Sequence, residues 1–272
     1  MSQWIYYWRV WRGFLANALI RELQFRGNFF TTLVTRAFWF GVQLLLFDLI
    51  YREVRLINDW NRAQYFGFMA TGMLINALVE TFFMPNCAQI SEKIRTGDLD
   101  FALVKPIDTQ FLVSCEKMEL PMLCQVAMAL CLLGYAVRAS GRAVHALEAA
   151  VYVALVLSAV LFFYSLMIAL ACTSIWFGRN QGLLDFWFYI TIFARYPGSI
   201  YSGTPLGEVI RFAFSYVVPI LLVVTVPARV LMGMVLEPNW LTALTIGAAW
   251  GTFFAARGVF HWSLRYYRSA SS

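Results

Sequence analysis

Ala149 to Ile175 runs for its whole length without one charged residue. An apolar stretch of that length is too long to hide in the core of a small domain, and it matches the roughly 20 residues that a helix needs to cross a bilayer. Similar runs recur at Phe29–Tyr51, Gln64–Met84 and Trp240–Trp262. They are continuous rather than alternating, which predicts helices and not a barrel. The chain is 61% hydrophobic and only 13% charged, so the expected fold class is an all-α membrane protein with six transmembrane helices.

The spans differ in what interrupts them. The first carries Arg36 and Asp48, one near each end, where a long or polar side chain can reach the interface. The second carries Glu80 near its end and is followed by Pro85. A third helix is predicted to begin near Asp108 and to carry Glu116, Lys117 and Glu119. Its clean apolar part is only Met122–Val137. The fourth is Ala149–Ile175. The fifth, Gly182–Ile200, is broken by Tyr196-Pro197-Gly198, and Trp240–Trp262 is the sixth, with Arg257 near its end. Between these two, Phe212–Val226 is apolar but short, carries Pro219 and ends at Pro227. Residues 202–238 therefore read as a broken or re-entrant helical hairpin, the alternative being a full span kinked at proline. Such a break is tolerated at membrane depth where protein or a cavity covers it.

Residues 1–27 read as an interfacial amphipathic helix and not as a signal peptide, because Arg9 and Arg12 interrupt any apolar core. Trp4, Trp8, Trp11, Leu15 and Leu19 recur at helical spacing on one face. Packing of this helix on a partner protein is the alternative.

The polar exception is Ser91–Asp108, SEKIRTGDLDFALVKPID. Glu92–Arg95 suits a short helix, Gly97 can end it in the left-handed conformation, and Asp108 can cap the next one. A solvated loop is the plain alternative. However, Gly97-x-Leu99-Asp100, then Leu103 and Pro106, resembles the G-x-L-D-x-x-L-x-x-P loop of a branch of type-2 ATP-binding-cassette exporter permeases. A second similarity lies at Tyr196-Pro197-x-x-Ile200-Tyr201, followed by Val226-Pro227-Ala228. The resemblance implies a single permease domain over 1–272, with residues 85–110 as the cytoplasmic loop that couples it to the ATPase. It makes Glu92, Lys93, Ile94, Arg95, Gly97, Asp98, Leu99 and Asp100 the candidate coupling residues. Tyr196, Pro197, Tyr201, Pro219 and Pro227 become candidates for the pathway. It further implies ABC ATPase subunits as partners, a second permease copy or a related chain, and a bacterial cytoplasmic membrane.

The rest of the chemistry is negative. A phosphate-binding loop needs Gly-Lys followed by Ser or Thr. The only lysines are Lys93, Lys105 and Lys117, and none follows a glycine. ATP-Mg is therefore expected on the partner ATPase, with no cofactor or metal in this chain. His145 and His261 are far apart, and neither an H-E-x-x-H nor a G-x-S-x-G pattern is present. The five cysteines form no C-x-x-C pair and read as small apolar residues. The net charge of +6 comes from scattered arginines, so no nucleic-acid patch forms. With both termini cytoplasmic, twelve basic residues fall inside and eight, Arg195 among them, outside. That bias favours this orientation. An ion- or proton-coupled transporter using Glu80, Glu116 and Asp185 is the rival function; a membrane-embedded transferase lacks catalytic candidates.

Overall fold

A computed structural model describes residues 3–24, 26–177, 188–189, 192–236 and 240–267. Among these residues there are helices and no strand. Five helical segments are long and apolar enough to cross a membrane: Phe29–Glu53, Arg62–Thr96, Leu120–Ala139, Ala146–Trp176 and Leu241–Leu264. They match the expected first, second, fourth and sixth spans and the apolar part of the third, Met122–Val137. The expected fifth, Gly182–Ile200, lies largely outside the described residues. Its end is described: helical turns at 192–193, a break at Tyr196-Pro197, and a 3-10 turn at Gly198–Tyr201.

The centre of the bundle is α8, Ala146–Cys172. It is apolar all round, and Leu155, Phe162, Phe163, Met167 and Ile168 are buried. Around it pack α3 (Arg62–Phe82), the helix Ile220–Met232 and the last helix, Leu241–Leu264. The last helix turns Thr245, Ala249, Ala256, Phe260 and Ser263 inward. Lipid offers no hydrophobic drive between helices, so small residues that let backbones approach matter most. α7 (Leu123–Ala139) does the same against α3 with Ala129, Leu132 and Ala136.

α2, Arg26–Glu53, is different. Phe30, Val34, Phe38, Leu45 and Leu49 are each more than half exposed. It is tied down near its two ends. Arg36 reaches Glu80 at 3.1 Å, so this arginine pairs across helices instead of simply anchoring its end. Asp48 pairs with Arg52 at 3.2 Å and with Arg62, and the Phe47 ring packs, tilted, on Tyr65 with 4.6 Å between ring centres. α3 then starts on a capping box: the Gln64 N–H donates to Asn61 Oδ1 at 2.9 Å, and the Asn61 N–H to Gln64 Oε1 at 3.0 Å.

The third helix is not continuous from Asp108. α6 spans Thr109–Cys115, the helix lapses through Glu116–Glu119, and a 3-10 turn at Leu120–Met122 leads into α7. The reason is tertiary. Asn86 takes both backbone groups of Lys117, accepting from its N–H at 2.8 Å and donating to its carbonyl at 2.7 Å. The Glu119 N–H donates to the Thr81 carbonyl at 2.9 Å. Pro121 has no N–H to give.

α1, Gln3–Gln24, is helical as expected, but its protein-facing stripe is rotated. Tyr7, Phe14 and Ala18 face the bundle with Trp11 and Leu15, while Trp4, Trp8 and Leu19 stay exposed. Arg21 turns inward too and donates to the Met118 carbonyl.

The segment after residue 202 runs along Pro205–Phe212, through a π-helical turn at Ala213–Val217, bends by 83°, and continues along Ile220–Met232. Both ends meet the same end of the bundle. Just before it, the Ser199 carbonyl accepts from Asn58 at 2.7 Å. At its close, Arg229 pairs with Asp59 and sits over Trp60. Both expected forms, a re-entrant hairpin and a span broken at proline, share this bend.

Candidate functional site: the charged elbow after the second span

At the opposite end, α3 gives way at Phe83 to α4, Met84–Thr96, which ends at Gly97 with φ 79°. That is left-handed backbone, which glycine adopts without strain. α5, Asp98–Leu103, follows at once. Asp98 and Asp100 sit in its first turn, where helix N–H groups favour negative charge. The expected short helix and turn are therefore a helix–glycine–helix elbow.

Its side chains sort into two sets. Leu99 and Ala102, three apart, are buried and anchor α5, and Ile94 packs partly against the core. Glu92, Arg95 and Asp98 are exposed. Arg95 Nε donates to Glu92 at 2.9 Å, and this pairing pushes the guanidinium further up. The Thr96 hydroxyl donates to Asp98 at 2.8 Å. Asp100 lies by Tyr267; burial, helped by that carboxylate, pushes the Tyr267 hydroxyl up to about 12. Lys93 turns inward and pairs with Glu116. A cavity of about 440 Å³ opens between α4, α5 and the Glu116–Lys117 stretch.

Two residues that sequence reasoning passed over now stand out. Phe101 is 69% exposed and Val104 81% exposed. They lie three apart, off the Leu99–Ala102 face. The available signal was that α5 carries more apolar residues than one buried face can use.

The elbow is braced against the bundle. Asp108 caps α6, accepting from the Phe111 N–H at 2.9 Å, and meets Arg257 of the last helix at 2.7 Å. Burial raises this carboxyl, but Arg257 and the Phe111 N–H outweigh it, so its pKa lies below the ordinary value. Behind it, the Tyr164 hydroxyl of α8 lies 2.9 Å from both Gln110 and Ser114.

The other expected sites lie elsewhere. Trp4, Trp8, Arg9 and Arg12 are exposed along α1, with Trp11 half-buried. Tyr196 faces Phe47 at 6.5 Å between ring centres, and Pro197 is buried. The Tyr201 hydroxyl donates to the Phe193 carbonyl at 3.2 Å. Pro219 opens the return helix and Pro227 is buried within it. The structure does not bring this group to the elbow. Glu80 and Glu116, the carboxylates of the rival ion-coupled reading, are each neutralised by a cation, and Asp185 lies outside the described residues. Among the described residues, no group of three or more His, Cys, Asp or Glu side chains could hold a metal ion.

No curated protein and no solved structure matches this chain. A family described as "ABC-2 family transporter protein" matches residues 37–271, which take in every long apolar helix except the start of α2 as well as the elbow. By that match the chain belongs to the ABC-2 transporter family, as a membrane permease component of an ABC transporter.

Proposed function

We propose that this permease is the membrane half of an exporter, that it pairs with a second copy or a related chain to form the path, and that separate ATPase subunits dock on the α4–α5 elbow. The observation that carries the reading is the exposed pair Phe101 and Val104 beside Glu92, Arg95 and Asp98. An apolar centre with a polar rim is the make-up of a protein contact. The elbow then lies in the cytoplasm with both termini, in a bacterial cytoplasmic membrane. ATP-Mg sits on the partner, because this chain has no Gly-Lys-Ser/Thr loop.

The braces supply a route for force. Closure of the ATPases pushes α5. The Lys93–Glu116 pair passes the push toward α6, and Asp108–Arg257 passes it to the last helix. The exposed apolar face of α2 supports pairing with a second copy, since little of its own protomer covers it. Export rather than import rests on the resemblance of the Gly97–Pro106 motif.

The test is to co-express the chain with its ATPase subunits and compare Phe101→Ser/Val104→Ser and Gly97→Val with wild type. A docking patch of this kind predicts about a tenfold or greater loss of ATPase co-purification for the double variant. Gly97→Val, strained at positive φ, should retain the spans but lose stimulated ATP turnover and export. Full docking and export in both variants would leave the elbow a solvated loop.

A further inference from the structure

Between α2, α3, α7 and the residues before Tyr196 lies a second cavity, of about 110 Å³. Its wall is polar where a membrane protein is normally apolar. Arg36 and Gln43 come from α2, Asn76 and Glu80 from α3, Gln125 from α7, and Arg195 from the end of the broken segment. Asn76 lies 14 residues into α3, about 21 Å along the helix at 1.5 Å per residue. That is well inside a hydrocarbon layer about 30 Å thick. Arg195, counted among the outer basic residues in the sequence, borders this wall together with Gly72 and Asn76. Ionisable side chains at such depth are costly and mark pathways.

The charges do not balance. Glu80 is the one carboxylate on the wall among the described residues, and it is engaged by Arg36 at 3.1 Å. Arg195 is exposed, and among the described residues no carboxylate of the wall is left to pair with it. Counted over the described residues, two arginines and one glutamate, the wall carries one net positive charge. The Gln125 Oε1 is buried and makes no hydrogen bond, so the wall also holds an acceptor that awaits a donor. Phe68 and Met73 line the same cavity and supply apolar surface. An anionic head group bearing a hydroxyl, carried on an apolar body, matches each of these features. A cationic head group would face Arg195 in a medium that screens poorly.

We propose that this cavity binds the anionic head group of an amphiphile, such as a phosphate monoester on an alkyl chain. This class of molecule becomes the transported one only if the permease reading above holds; the binding stands without it. The test uses the full chain purified in an uncharged detergent, with no ATPase. The probes are dodecyl phosphate, dodecylphosphocholine and inorganic phosphate, followed by titration calorimetry. A charge-assisted contact predicts that dodecyl phosphate binds about tenfold tighter than dodecylphosphocholine.

Arg195→Gln should abolish that preference and Arg195→Lys should keep most of it. Arg36→Gln/Glu80→Gln leaves the net charge unchanged and should keep it too. Equal affinity for the two amphiphiles, or a preference that survives Arg195→Gln, would overturn the proposal. Inorganic phosphate binding as tightly as dodecyl phosphate would overturn the amphiphile as occupant and make the site one for a free anion. Because no ATPase takes part, a failure here is distinct from a failure of coupling.

Discussion

Gly67 and Gly207 are indistinguishable as letters, and their surroundings separate them. A Cβ on Gly207 would lie 2.2 Å from the Tyr201 carbonyl oxygen, a backbone atom that cannot step aside. One on Gly67 would lie 2.5 Å from the Met232 sulfur, on a side chain that can rotate away. Gly207→Ala should therefore cost about 1–3 kcal/mol and Gly67→Ala clearly less. Thermal melting of both variants in detergent checks this, and equal melting points would contradict it. Gly97 and Asp108 are the contrasting case. A glycine after a polar helix and an aspartate before the next one announce a left-handed stop and an N-cap by local chemistry, and both are found in those roles. Leu99 shows the limit. Its motif position marks it as a coupling residue, while its burial makes it an anchor, with Phe101 and Val104 presented outward in its place.

Beside the apolar packing of the bundle, elements are joined by polar ties that no local pattern shows. Asn86 to Lys117, Lys93 to Glu116 and Asp108 to Arg257 fasten α4, the non-helical stretch, α6 and the last helix to one another. The Asp108 tie has a pH signature. Its folded pKa is depressed, so its contribution is fully present above the unfolded carboxylate value of about 3.9. It is lost as pH falls through the lower folded value. Asp108→Asn should remove this dependence: the variant melts lower than wild type at neutral pH, and the gap narrows on acidification below about pH 4. A gap that stays constant from pH 7 to pH 3 would show that the carboxylate charge contributes nothing.

For the molecule as a whole, the decisive feature is the path between Tyr201 and Trp240. If the hairpin returns to the end it left, Leu206 and Val235 lie on one side of the membrane. Both are well exposed, at 72% and 69%. In a cysteine-free background, Leu206→Cys and Val235→Cys should react equally with a membrane-impermeant maleimide added from outside intact cells. Cysteines placed at Arg95 should not react. Labelling of only one of the hairpin positions would mean a full crossing and would change the number of spans. The exposed face of α2 belongs to the same level. A helix that its own protomer covers so little is finished by lipid or by a second chain.

The sequence by itself determined the all-α membrane class, the positions of the long spans, the helix at the start, the polar island and the weak segment around Pro219. Each is a property of a contiguous stretch: its hydropathy, its period, or a residue that backbone sterics allow in few conformations. What only the tertiary structure decided are relations between stretches far apart in the chain. These include the break at Glu116–Glu119, imposed by Asn86 from 31 residues away, and the rotation of α1 onto Tyr7, Phe14 and Ala18. The joining of Arg36 to Glu80 and the place of Arg195 on the polar wall beside Asn76 are of the same kind. A buried polar group must find a partner somewhere, and periodicity along one helix carries no record of which helix will supply it.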